Sequence, residues 1–536
     1  MTALVARGEL PVDPRNVDAL IYFSAAMGGL MALFVIGHGL QSLQVKSSVA
    51  ATSAPARVPL YLVRLIRSVL LAPFPGFTST GHAVVVSIYV VVNVLVLFTN
   101  LNYTLLSHVS RRFGWVATAN LALLFFLALK NTPLGFLTAY SYERLNVLHQ
   151  IAGYTTILLV ILHAVIFTIA GAQEGALKEL ISMRQQPGIV AGASMLVILV
   201  TALVLRKRYY ELFYLIHLVG AALILIGLGQ HRSDISTHTL IIVIFCATIW
   251  LADRLIRFLR TAWNTSGNRA TLTPLPYGGT RVILSRPLAR AQPGLHAQLW
   301  MRQIRKAEMH PFTIVSTDPV EFVIAAHDGF TGSLHRHALD QAEKSVPASI
   351  DGPYGTLPDF AAFDKVVLIA GGSGASFAIA IAMQLLRAGP ADNPPTIDVV
   401  WAVREHGKFS WFAKELSILQ RSPRVTLALY CTHPVEAAAS RSSSFPEQEL
   451  KTLTVPSTPT SDKTDQTPRN VPDVLEGRPN VSSVVEGVVR HTAPHHTVIV
   501  SACGPSSLMR ATRQAVTFRS RSSGPGVELH CEEFGW

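Results

Sequence analysis

Within its first 262 residues the chain contains seven stretches without a single Asp, Glu, Lys or Arg: 19–45, 68–110, 113–129, 145–173, 185–205, 212–231 and 235–252. No other feature constrains the fold as strongly. A charged group in hydrocarbon is costly, so long charge-free runs mark membrane spans, and a spanning helix needs about 20 mostly apolar residues. Pro73, Pro75 and Gly76 break the start of the second run, which leaves one helix near 82–105. The third run, 113–129, is the shortest of the seven and sits at the lower limit for a span. The expectation is a seven-helix transmembrane domain over residues 1–262.

An odd number of spans puts the two ends of the domain on opposite sides. The sequence beyond 262 carries no translocation signal, and the leading MTALVARGELPVDP lacks the apolar core of a signal peptide. The expected orientation therefore has the N-terminus outside and the C-terminal half in the cytosol. The inner segments then carry twelve Lys and Arg against seven outside (Arg7, Arg15, Arg111, Arg112, Lys178, Arg184 and Arg232), in keeping with the positive-inside rule. Arg111 and Arg112 run against that trend. A net charge of +12 would ordinarily point to nucleic acid, but +10 of it lies in the apolar first 262 residues. It reads as an orientation signal facing anionic membrane lipids, and no nucleic-acid partner is expected. Four cysteines (Cys246, Cys431, Cys503 and Cys531) form no CxxC pair, and three lie in the second half, as in a reducing compartment. Asn102-Tyr-Thr is a glycosylation sequon in an expected outer loop.

Ionisable groups inside spans are usually functional. His149 and His163 lie in the fourth span, His217 and His231 in the sixth, and both pairs have the same i, i+14 spacing. On an α-helix that spacing is about 21 Å of rise and about 40° short of four full turns, so both rings of a pair share one face. The two helices are separated by one other and run parallel, which levels His149 with His217 towards the inner surface and His163 with His231 towards the outer. Two facing imidazole pairs across a bilayer are what two bis-histidine haems require. One such histidine would be read as bonding to a neighbouring helix; two equal pairs on alternating helices are not. His38, His82 and His108 have no partner at that spacing.

After Trp263 short alternating strands with Pro and Gly (TLTPLPYGGTRVILSRP, EFVIAA) read as a small antiparallel β-barrel, over about 263–360. It carries His310-Pro311-Phe312-Thr313, Asp328-Gly-Phe-Thr331 and Asp351-Gly-Pro-Tyr-Gly355. From about 361 to 536 the pattern becomes α/β. The strand Val366–Ala370 runs into Gly371-Gly372-Ser373-Gly374 and an Ala/Ile-rich helix, a unit that offers backbone N–H groups and a positive helix end to a phosphate. Taken alone it also fits a tight structural βα turn. A second strand, Thr396–Val403, ends at Arg404, whose guanidinium suits an adenosine 2′-phosphate and so NADPH. Residues 436–474 are rich in Ser, Thr and Pro and read as a disordered insertion. The last strand, Thr497–Ala502, delivers Cys503-Gly504-Pro505 to the carboxyl end of the sheet, where ligands bind; a merely buried cysteine is the competing reading. The chain ends in HCEEFGW.

Together these motifs resemble the fungal ferric/cupric-chelate reductases, relatives of the NADPH oxidases, over nearly the whole chain. The resemblance implies that His149, His163, His217 and His231 ligate two b-type haems, that His310–Thr313 bind FAD, and that Gly371–Gly374 hold the NADPH phosphates. It implies further that Cys503, Gly504 and Pro505 lie beside the nicotinamide, that Thr331 meets the flavin phosphate, and that Phe534 is the flavin-facing aromatic, with Gly535 and Trp536 added. A ferredoxin-reductase-like module, ferric or cupric chelates as acceptors and an iron or copper permease as partner follow from the same resemblance. Two departures stand out. Only the short segment MTALVARGELPVDPRNVD precedes the first apolar run, so the long ectodomain of many members is not expected. The segment LVGAALILIGLGQ between His217 and His231 has no aromatic residue. The nearest rival is a superoxide-producing NADPH oxidase, whose second histidine pair is typically one residue closer. The equal spacings here favour the metalloreductase.

Overall fold

The computed structural model describes residues 13–48, 66, 69–72, 74–77, 79–138, 142–231, 237–306, 308–342, 344–388, 394–433, 474–519 and 525–532. The chain divides into two compact units that meet in sequence at Trp263/Asn264. Each has its own cores.

The first unit is helical: α1 (Pro14–Ser48), α2 (Thr80–Phe98), α3 (Leu106–Ala128), α4 (Tyr142–Gln173), α5 (Gln186–Val204), α6 (Tyr210–His231) and α7 (Thr237–Thr265), with a short helix Pro133–Thr138 before α4. Among the described residues, six helices are long and apolar enough to cross a membrane; α3 is not one of them. Its charge-free run is helical from Phe113 to Ala128, but the helix begins earlier and includes Arg111 and Arg112. α3 packs along α4 and against α1, and α5 packs along α6. It feeds two cores, one with Phe23, Tyr89, Val116 and Leu159, the other with Phe125, Met195, Ile224 and Cys246.

Two boundaries differ from expectation. The helix expected near 82–105 ends at Phe98, because the backbone turns at Asn100 (φ 50°) and the buried Arg112 donates to the carbonyls of Val96, Thr99 and Asn100 at 2.8–3.1 Å. A guanidinium placed on the carbonyl end of a helix satisfies groups that cannot bond within it. α7 runs well past the charge-free segment 235–252, through Asp253, Arg254, Arg257 and Arg260. Asp253 is buried and accepts from Asn131 N and Nδ2 at 2.9 and 2.8 Å, and Arg254 donates to the Tyr214 hydroxyl at 2.7 Å. Charge ended the apolar run but not the helix.

The second unit begins with antiparallel strands β1 (Arg269–Leu275), β2 (Gly279–Leu284), β3 (His296–Trp300), β4 (His310–Thr313), β5 (Ser316–Thr317), β6 (Val320–Ala325), β7 (Ser345–Pro347) and β8 (Ser349–Tyr354). They form a five-stranded sheet, β5-β6-β2-β1-β7, and a three-stranded sheet, β4-β3-β8. Alternate side chains such as Leu272, Val282, Leu299, Phe322 and Ile350 fill the core between them, with Phe330, Leu334 and Ala338 of α8 (Phe330–Asp340).

A parallel sheet follows: β9 (Lys365–Gly371), β10 (Thr396–Val403), β11 (Val425–Cys431), β12 (Val474–Glu476), β13 (Thr497–Cys503) and β14 (Gly526–Glu532), ordered β12-β11-β10-β9-β13-β14. Both faces are covered. Val366, Leu368 and Val399 face a core with α9 (Ala375–Arg387) and α10 (Ala413–Arg421), whereas Val367, Ile369 and Val500 face one with α11 (Val481–His491) and α12 (Ser506–Arg519). This two-sided burial is why these strands are nearly continuous apolar runs. The Ser/Thr/Pro-rich segment 436–474, apart from Val474 at the start of β12, lies outside the described residues, as do Phe534, Gly535 and Trp536.

Candidate functional site

The chain builds two kinds of site, one in each unit. In the helical unit the four histidines form two facing pairs. The ring centres of His149 and His217 are 6.1 Å apart and those of His163 and His231 are 6.4 Å apart. Two imidazoles on opposite sides of one metal ion, each about 2.0–2.1 Å from it through nitrogen, hold their ring centres about 6.3 Å apart. The ring separations would therefore let each pair hold one metal ion between its two imidazoles, at two levels.

The outer edges of the rings are arranged to match. On α4, His149 Nδ1–H donates to the carbonyl of Leu124 at 3.0 Å and His163 Nδ1–H to the carbonyl of Ser110 at 2.8 Å. Both acceptors are on α3, and they stand in the same i, i+14 relation as the histidines they serve. Committing Nδ1 as the donor leaves Nε2 with its lone pair, the form a ligand needs. His217 Nδ1 is buried without a hydrogen-bond partner among the described residues. Glycine makes room on the neighbouring helices. A Cβ at Gly114 would stand 3.1 Å from His163 Nδ1, and one at Gly188 of α5 would stand 2.5 Å from His231 Nδ1. Ser110, Gly114, Leu124 and Gly188 did not emerge from sequence reasoning; the spacing of 110 and 124, matched to that of the histidines, is the one trace they leave in it. The His149/His217 level lies towards the end of the bundle where α7 leads into β1, since Arg254 of α7 bonds Tyr214, one turn from His217.

In the second unit the strand order reverses between β9 and β13, because β10–β12 lie on one side of β9 and β13–β14 on the other. Such a switch point opens the ligand crevice of an α/β sheet. Gly371 ends β9 and leads into Gly372–Gly374, and Cys503 ends β13 and leads into Gly504 and Pro505, so both sequence-predicted motifs meet there. They approach backbone to backbone: a Cβ on Gly374 would overlap the Cys503 carbonyl, and one on Gly371 would stand 2.7 Å from Pro505 Cδ. Trp401 Nε1–H of β10 donates to the Gly372 carbonyl at 3.0 Å, which pins the turn. Among the described residues no side chain caps the start of α9, and uncapped N–H groups at a helix start are of the kind that can receive a phosphate. Arg404 is exposed two residues beyond Ala402, which pairs with Gly371. Cys503 is buried, and that burial, with Glu532 and Cys531 beside it, pushes its thiol far above the ordinary range. It is a neutral thiol, not a thiolate nucleophile.

Elsewhere in this unit the His310–Thr313 strand and the start of α8 at Gly329–Thr331 converge. The ring of His310 stacks on Phe330 at 4.8 Å, Phe312 stacks on Phe330 at 6.1 Å, and Thr331 Oγ1 accepts from His327 N at 2.9 Å. Aromatic stacking thus joins two segments that are separate in sequence.

Three family models match consecutive parts of the chain: "Ferric reductase like transmembrane component" over 113–228, "FAD-binding domain" over 268–357 and "Ferric reductase NAD binding domain" over 363–517. The chain belongs to the ferric reductase family. Among curated ferric reductase relatives, ferric/cupric reductase transmembrane component 2 of Schizosaccharomyces pombe is 23% identical over 488 residues, covering 80% of this chain and 81% of that one. Ferric reductase transmembrane component 6 of Saccharomyces cerevisiae is 25% identical over 427 residues, covering 76% and 57%. Ferric/cupric reductase transmembrane component 1 of Candida albicans is 23% identical over 447 residues, covering 80% and 57%. The chain thus spans four fifths of the first ferric reductase and a little over half of the other two.

Proposed function

We propose that this chain is an integral membrane NADPH-dependent metalloreductase, using FAD and two b-type haems to deliver electrons to ferric or cupric chelates on the far side of the membrane. The observation that carries the reading is the pair of histidine pairs with ring centres 6.1 and 6.4 Å apart. When bound, the three groups supply hydride acceptance and one-electron transfer, which no side chain here can supply.

The residues do the rest. The Gly371–Gly374 turn and the uncapped start of α9 receive the pyrophosphate, and Arg404 reads the 2′-phosphate by a bidentate contact. Cys503, neutral and packed against Gly374, sets one wall for the nicotinamide. His310–Thr313 and Thr331 hold the flavin, the stack on Phe330 fixing their relative position. His149/His217 and His163/His231 would hold the haem irons through Nε2, with the Nδ1–H groups on α4 held by the carbonyls of α3. The helices keep water from both levels.

Two finer readings go with this one. α3 is a seventh span: Arg112 is buried, and its guanidinium is bonded to Asn16 Oδ1 at 2.7 Å and to the carbonyls ending α2, so it enters the bundle as an already satisfied cation. The excess of Lys and Arg on the side of the His149/His217 level supports a cytosolic second unit; the likeness to the fungal ferric reductases supports a plasma-membrane setting and a permease that takes up the reduced metal. The purified full chain, supplied with NADPH and offered ferric chelate, cupric chelate and oxygen in parallel, is expected to reduce the chelates. Superoxide as the main product would replace this reading with the oxidase.

A further inference from the structure

The two histidines of α4 are held differently. His149 meets one acceptor on α3, the Leu124 carbonyl at 3.0 Å. His163 is gripped by one residue three ways. Its Nδ1–H donates to the Ser110 carbonyl at 2.8 Å, Ser110 Oγ lies 3.1 Å from the same nitrogen, and that hydroxyl donates to the His163 backbone carbonyl at 2.9 Å. Since the hydroxyl hydrogen is spent on that carbonyl, Oγ is an acceptor towards Nδ1. Ser110 is wholly buried, so no water competes for these bonds. One turn on, Gly114 leaves the ring its space, a Cβ there being 3.1 Å from Nδ1. The counterpart of Ser110 beside His149 is Leu124, which has no hydroxyl to offer.

We infer that Ser110 is a positioning residue for His163, fixing its ring and lowering the reduction potential of the haem iron it ligates relative to what that pair would have without the hydroxyl. The inference rests on the bis-histidine reading above. An acceptor on Nδ1–H makes Nε2 the more basic ligand. A more basic ligand favours ferric over ferrous iron, and two acceptors on one N–H do so more than one. The asymmetry between Ser110 and Leu124 tunes the two levels separately, although all four ligands are the same residue type.

The test is a redox titration of the purified full-length protein followed by haem absorbance, for wild type, Ser110→Ala and Ser110→Thr. His163→Ala assigns the waves, because the wave it retains belongs to His149/His217. In Ser110→Ala the wave of the His163/His231 pair is expected to move to higher potential while the other stays in place. Ser110→Thr, which keeps the hydroxyl, is expected to restore it. Gly114→Ala crowds the same nitrogen without touching the hydroxyl and is expected to disturb that wave alone. A purely structural serine would lower the melting temperature and leave both waves unmoved. Unmoved waves, a common shift of both, or a downward shift would overturn the inference. A wild type without two bis-histidine haems would instead overturn the reading beneath it.

Discussion

At the scale of single residues, room matters as much as ligation. Gly188 faces the outer edge of the His231 ring so closely that a Cβ would stand 2.5 Å from Nδ1, well inside any ordinary contact. A ring pushed away from that Cβ would change its 6.4 Å separation from His163. Gly188→Ala is therefore expected to deplete the haem of the His163/His231 level, by about tenfold or more in retention, a loss typical of disturbing the groups that orient a metal ligand. The haem of the His149/His217 level should survive. Haem content per polypeptide, read from the reduced-minus-oxidised spectrum, checks it, and two full haems would count against the placement of His231. Arg404 makes a different kind of prediction. Its side chain is exposed at the switch-point end of the sheet, so removing it should leave the fold alone. Arg404→Ala is expected to raise KM for NADPH about tenfold or more, the loss of one bidentate phosphate contact, with KM for NADH unchanged. An equal change for both nucleotides would show that Arg404 does not read the 2′-phosphate.

At the scale of elements, the sequence was legible where burial is one-sided or total and opaque where backbone carries the chemistry. The helices holding the four histidines start and end within a few residues of their charge-free runs, because hydrocarbon tolerates few alternatives. The apolar strands leading to Gly371–Gly374 and Cys503–Pro505 were equally plain. What sequence could not show is that Ser110 and Leu124 lend carbonyls, since every residue has one. α3 was hardest to read, and its burial explains why. It lies inside the bundle, and its polar residues face other helices: Tyr89 Oη of α2 donates to Asn120 Oδ1 at 2.5 Å, and Asn120 Nδ2 donates to Asn93 Oδ1 at 2.7 Å. A helix with partners on all sides need not be uniformly apolar. The knot also ties α3 to α2 one turn before the Leu124 carbonyl that serves His149. Asn120→Leu would remove the Asn120 acceptor of the Tyr89 hydroxyl and leave Asn93 Oδ1 without its Asn120 donor, each at a cost of up to about 1–3 kcal/mol. Thermal melting in detergent is expected to shift down for this variant and to recover in part when Tyr89→Phe and Asn93→Leu are added. No recovery in the triple variant would mean that the residues act through packing and not through their hydrogen bonds.

At the scale of the whole molecule, two units with separate cores would, on the reading proposed, carry two halves of one electron path. The helical unit is built on the clusters around Val116 and Cys246, the second unit on those around Trp401, Phe322 and Val500. Among the described residues these clusters are not shared between the units. Damage confined to one unit should therefore leave the chemistry of the other intact, and His163→Ala is the cleanest such lesion. It removes a ligand from the level farther from the chain's exit to β1, and it leaves His149, its Leu124 acceptor and every residue after 263 untouched. On the reading proposed, NADPH and flavin still meet at the switch point and beside the His310–Phe330 stack. NADPH-driven reduction of a soluble dye is therefore expected at close to the wild-type rate, chelate reduction on the far side is expected to fall to background, and the spectrum is expected to lose one of two haems. The three readouts separate the possibilities. Loss of dye reduction would mean that the units fold together. Retained chelate reduction would mean that the acceptor draws electrons before the His163/His231 level, and an intact two-haem spectrum would remove His163 from the ligand set altogether.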